Sequence, residues 1–147
     1  MATRFFPLYN IDQPVGPGKA NIAADVRLVQ ALFIETSRFD AGDWLVQVPA
    51  ELRTLATTGS FDDKLKSWII TFQTWAAKGF GGSKVFKADG IVDPMPIASI
   101  SASPSFASGR ISTLGFLCNR VWRYNRAAYM RIGDDYNIPW IPRGWDN

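Results

Sequence analysis

The chain contains no histidine, and that absence excludes a great deal. Histidine is the usual general base near neutral pH and the commonest metal-binding side chain. Ser-His and Cys-His nucleophilic sites and most zinc sites are therefore removed together. Cysteine is almost as scarce: Cys118 stands alone, which leaves no internal disulfide and no cysteine cluster for a metal. It lies in the apolar helical run LGFLCNRVW and reads as a buried, inert thiol. No metal and no cofactor is expected, and the chain reads as a non-enzyme. Long apolar runs are missing too, since no segment approaches the roughly 20 apolar residues of a membrane span. The opening MATRFFPLYNIDQPVGPG has one early arginine, but Pro7, Asp12 and Pro14 prevent an apolar stretch of signal-peptide length. The expectation is a chain that is cytoplasmic as made, with no signal peptide and no transmembrane segment.

What is present suits one folded core. The 147 residues fit a single domain with arms, and a hydrophobic share of 47% argues against general disorder. Aromatic residues make up 14%, a modest surplus that suits a core first and a contact surface second. The net charge of +3 and a pI near 9.2 favour an anionic partner only mildly.

Residues 1–20 carry proline and glycine without a sustained period and read as an N-terminal arm. Asn21 offers an N-cap, and Asp25 places negative charge in a first helical turn. Val26, Val29, Leu32 and Phe33 then recur at helical spacing, predicting a helix over about residues 23–37. Residues 38–57 read as a long connection holding a short helix after Pro49. The clearest helical pattern is FDDKLKSWIITFQTWAAK. Asp62 caps it, Leu65, Trp68, Ile69, Phe72 and Ala76 form its apolar face, and Gly79 ends it near residue 78. The glycines of FGGSKVFKADG suggest a loop or short hairpin. Two segments echo one another, Thr58-Gly59-Ser60-Phe61-Asp62-Asp63 and Asp89-Gly90-Ile91-Val92-Asp93-Pro94. Each sets a glycine in a turn, then an apolar anchor, then a capping acid, and Pro94 suits the first position of a helix. Residues 95–109 look like an inserted Pro/Ser-rich loop. A last helix is expected over about 111–126, with Leu114, Leu117, Val121 and Tyr124 buried. Arg110, Arg120, Arg123, Arg126 and Arg131 would make its outer side basic. Gly133 and two aspartates should stop it, and Pro139 and Pro142 keep the tail NIPWIPRGWDN irregular. The division is a 1–20 arm, a 21–131 helical domain and a 132–147 tail.

In this order the motifs resemble the peptidoglycan-binding domain family, a three-helix module. Val26, Val29, Gln30 and Phe33 match the family's V-x-x-L-Q-x-x-L helix. Thr58, Gly59, Phe61, Asp62, Leu65, Trp68, Ile69, Phe72 and Gln73 fall in register with its D-G-x-F-G-x-x-T-x-x-A-V-x-x-F-Q. Asp89, Gly90, Val92, Asp93 and Pro94 match its D-G-x-V-G-P. The chain departs at Thr58, Leu65 and Trp68, and in enlarged loops over 38–57, 79–88 and 95–109. The resemblance implies a mainly α, three-helix peptidoglycan-binding-like fold with an irregular aromatic C-terminal tail. The structural motif residues would be Val26, Gln30, Gly59, Phe61, Phe72, Gln73, Asp89, Gly90, Val92 and Pro94. It also implies non-catalytic recognition of bacterial peptidoglycan, reached by a non-signal route or as part of a particle. The alternative is a structural or adaptor subunit of a phage-tail-like or contractile injection or secretion assembly that uses the same scaffold for protein contact.

The candidate sites divide by chemistry. Gln30 and Gln73 either satisfy the backbone of neighbouring loops or touch ligand. Asp62 and Asp93 read as caps, and no spacing suggests the carboxylate pair of a glycoside hydrolase. GPG and FGG lack the phosphate-loop patterns and are turns. In NRVWRYNRAAYMR, arginine and aromatic residues interleave. That mixture suits a solvated helix face, a protein contact or, least, nucleic acid. Trp122, Arg123, Arg126, Tyr129 and Trp75 are the expected contact residues, with a protein partner expected through the last helix and tail.

Overall fold

One helix is buried on nearly every side, and the rest of the chain is arranged around it. This is α1, Ala23–Phe39, whose Val26, Leu28, Val29, Ala31, Leu32 and Phe33 are all inside. A helix apolar over so much of its circumference is a core element and not a surface one. The computed structural model describes residues 9–39, 44–79, 87–94, 106–107, 110–111 and 113–138. Within them lie α2 (Asp63–Gly79), α3 (Thr113–Tyr124), α4 (Arg126–Met130) and α5 (Ile132–Asp135). The connection between α1 and α2 holds two 3₁₀ turns, Trp44–Gln47 and Ala50–Leu52, where a short helix was expected. A two-residue antiparallel pair, Phe106–Ala107 with Arg110–Ile111, sits in and just after the stretch expected to be loop. The protein is mainly helical, as its sequence periods indicate.

α1 packs on α3, and α2 packs on the first 3₁₀ turn. The stripe on α2 is the expected one, with Leu65, Trp68, Ile69, Phe72, Gln73 and Ala76 buried. Asp62 caps α2 as expected, its carboxylate accepting from the Leu65 N–H at 2.9 Å. Rings hold the α1–α2 junction. Phe33 lies 5.9, 5.7 and 5.6 Å from Trp44, Trp68 and Phe72, all tilted or edge-on. Such geometries suit the ring quadrupoles. The Trp68 indole N–H is satisfied by the Leu52 carbonyl at 2.7 Å.

Four expectations are corrected. Asn21 does not cap α1: its backbone is left-handed at φ 50°, and its side chain accepts from Gly16 N–H and donates to the Gly16 and Lys19 carbonyls. It closes the preceding loop. The stretch taken for an arm is, over residues 9–20, tied into the core. Tyr9, Ile11 and Val15 are buried, and Val15 exchanges both backbone hydrogen bonds with Val92. Asp25, besides lying in the first turn of α1, accepts from the N–H groups of Asp12 and Gln13. The last helix does not run through to residue 126. It breaks at Asn125, whose side chain accepts from Ala128 N–H at 2.9 Å and starts α4. Finally, Gly133 and the two aspartates do not stop the helical path but lie in α5, which ends at a left-handed Asn137 (φ 53°). There Ile138 N–H reaches the Gly133 carbonyl and Asn137 N–H the Asp134 carbonyl, a Schellman closure. Pro94 precedes no described helix; the residues after it, and those of the FGG loop from 80 to 86, lie outside the described residues.

Candidate binding surface

Two glutamine clamps organise the scaffold. Gln30, buried on α1, accepts the Gly59 N–H at 3.0 Å and donates to Thr58 Oγ1 at 2.9 Å and the Ser60 carbonyl at 3.4 Å. Gln73, buried on α2, accepts the Gly90 N–H at 2.8 Å. It donates to the Ile91 carbonyl and Thr113 Oγ1 at 3.0 Å, with Asp89 Oδ1 at 3.4 Å. Thr58 and Asp89 also act alike, each accepting from the N–H two residues on. Both turns need glycine, at φ 78° for Gly59 and 76° for Gly90. The echo read in the sequence is thus a repeated hydrogen-bonding unit, and both glutamines satisfy loops. Val26, Phe72 and Val92 are core, Phe61 is packed against the core, and Pro94 is half-buried.

The second clamp does more than the first. It reaches Thr113, the first residue of α3, a partner that no sequence signal marked. Gly16 packs so closely on this turn that a Cβ there would meet the Gly90 carbonyl at 2.9 Å. α1, α2, α3 and the N-terminal segment are all registered around residues 89–92.

The expected contact residues separate into two places. Trp75 on α2 is half-buried, stacked with Phe116 at 6.3 Å, and the Arg120 guanidinium lies 4.9 Å above its ring. Arg120 was expected on the outer side of the helix. It is instead 9% exposed and surrounded by the rings of Trp75, Phe116 and Tyr124. Ring faces replace part of its hydration. Arg123 and Arg126 are exposed at the α3–α4 bend, with Arg126 4.3 Å over the half-buried Trp122. Tyr129 is corrected from contact residue to core. It is 0% exposed, edge-on to Trp122 and Tyr9, and its carbonyl accepts from the Tyr9 hydroxyl at 2.9 Å. Tyr124, expected in the buried stripe, is 40% exposed.

Burial governs the titration of the interior. It pushes the Cys118 thiol up to about 12 and Tyr129 well above its ordinary range. Tyr9 is raised to about 12 for the same reason. Cys118, with its Sγ near the Tyr9 carbonyl, is a buried free thiol as expected. Maleimide should therefore label Cys118 at the rate of global or local opening, and at full speed only in denaturant. Rapid labelling of the native chain would contradict the packing of α3 on Tyr9. On the far side, Glu35 of α1 accepts a short hydrogen bond from the Tyr136 hydroxyl. Burial, reinforced by that carboxylate, raises Tyr136 to about 12. Arg27 donates to the Tyr136 and Asn137 carbonyls at 2.7 and 2.6 Å. These contacts fasten the C-terminal turn and serve structure.

Among the described residues, no cluster of three or more carboxylate or thiol side chains could hold a metal, and no helix is long and apolar enough to cross a membrane. Comparison with protein-family models, curated proteins and solved structures found no match to the chain.

Proposed function

We propose that this chain is a non-catalytic recognition module for bacterial peptidoglycan. The observation that supports the reading is the pair of glutamine-clamped glycine turns, at the positions where the sequence resembles the peptidoglycan-binding domain family. The clamps hold loop ends against helix ends, so a polymer could be gripped without any moving part. Wall polymer offers sugar faces and peptide groups. Half-buried Trp75 and the backbone of the clamped turns supply the matching apolar and polar contacts. The mechanism is placement, with the polymer held near a partner that acts on it.

The test is co-sedimentation of the purified chain with washed bacterial sacculi at low and high salt. Retention is expected to survive high salt and to fall about tenfold in Trp75→Ala, as for an interface anchor. Circular dichroism would check that the variant keeps its fold. No retention of the parent chain overturns the reading. The better account would then be an adaptor subunit of a phage-tail-like or injection assembly.

A further inference from the structure

The bend between α3 and α4 concentrates charge of one sign. From Pro94 to Gly133 the chain has no acidic residue and five arginines, Arg110, Arg120, Arg123, Arg126 and Arg131. Because Asn125 breaks the helix, Arg123 and Tyr124 at the end of α3 adjoin Arg126, Met130 and Arg131 on and just after α4, and all five are exposed. Among the described residues three large apolar side chains are well exposed. Two of them are here, Tyr124 at 40% and Met130 at 38%.

The geometry narrows the partner. Arg126 lies 4.3 Å above the Trp122 ring, and Arg120 5.1 Å from the centre of Tyr124. A guanidinium over a ring still presents the donor fork that matches a carboxylate. The same arrangement occupies ring faces on which nucleic-acid bases would need to stack. Trp122 is further engaged edge-on by Tyr129. The one ion pair within the patch, Arg131 with Asp135 at 3.4 Å, is solvent-exposed and exchanges at little cost. Tyr, Met and Arg together are interface residues, and methionine adapts to irregular apolar side chains.

We infer that the α3–α4 bend is a docking surface for a partner protein's acidic segment, in which carboxylates flank an apolar side chain. The carboxylates pair with Arg123 and Arg126, and the apolar side chain packs on Tyr124 and Met130. This goes beyond wall recognition and does not depend on it.

The test uses the intact chain on an array of twelve-residue synthetic peptides, with acidic and apolar content varied independently. The strongest peptide is then measured in solution by fluorescence anisotropy. Signal should concentrate on peptides having both features. Arg126→Glu should weaken the best peptide about tenfold or more, and Met130→Ala by a few-fold. Both residues are exposed, so neither change threatens folding, and a thermal melt checks this. Signal indifferent to acidic content, or unchanged in Arg126→Glu, overturns the proposal. So does tighter binding of a single-stranded oligonucleotide of equal charge. Sacculus retention should be unaltered by Arg126→Glu, which keeps failure here separate from failure of the wall-binding reading.

Discussion

Replacing Phe33 with alanine is expected to remove about 3–5 kcal/mol of stability, the range for deleting a buried aromatic side chain. Phe33 is wholly buried on the central helix, with Trp44, Trp68 and Phe72 all in ring contact. Those three also contact one another, Trp44 lying 5.7 Å from Trp68 and 5.2 Å from Phe72. A cluster so interlocked cannot collapse onto the gap, so the cavity term adds to the lost transfer energy. A domain of this size has about 5–15 kcal/mol in all, so the variant should approach half-unfolding in mild denaturant. Urea titration at an unchanged slope measures the loss. Phe33→Leu, which refills most of the volume, should lose less than half as much. A loss under about 1 kcal/mol in Phe33→Ala would mean that these rings do not form the centre of the core.

The second large effect concerns the clamp on α2. Gln73→Ala strips partners from the Gly90 N–H, the Ile91 carbonyl and the Thr113 hydroxyl. Gly90 is buried, so at least one orphaned group has no ready access to water. At about 1–3 kcal/mol for each buried group left unmet, the expected loss is about 2–4 kcal/mol. Gln30→Ala should cost about half of that, because Thr58 and Ser60 are exposed and water can replace the amide. Equal losses in chemical denaturation would contradict this ranking. Gln73→Glu adds a sign test. The acid keeps an acceptor for Gly90 N–H but sets a carboxylate against the Ile91 carbonyl and Asp89, so its folded pKa must rise. Relative to the parent, that variant is most stable below the carboxyl's unfolded pKa, where the protonated acid can donate. It then loses stability as pH rises towards and through the raised folded pKa.

The parts of the fold legible in the sequence are those determined locally. α1 and α2 were readable because their apolar residues recur at helical spacing, and Asp62 caps within its own turn. The clamps were legible as an echo, since glycine at positive φ beside a capping side chain leaves a residue-level trace. The N-terminal segment was not legible. Tyr9 finds its partner 120 residues away, and a strand contact of one residue pair has no period. Asn125 was overlooked because it sits inside an otherwise helical pattern, where its side chain competes for the backbone. That break shifts the helical phase, which carries Tyr129 inward and leaves Tyr124 exposed. Arg120 misled because charge predicts solvent, whereas here rings stand in for it.

The bridge between Val15 and Val92 has a consequence for how the chain is made. A ribosome delivers Tyr9, Ile11 and Val15 early, yet Val92 and Tyr129 follow much later. At typical elongation rates, Val15 waits on the order of 4–15 s before Val92 is even synthesised. During that interval α1 has emerged with its apolar circumference unmatched, and α3, against which it packs, does not yet exist. Nascent-chain folding must therefore end with the oldest residues closing over the youngest. A factor that shields apolar chain in transit would find its longest-lived target in the first forty residues.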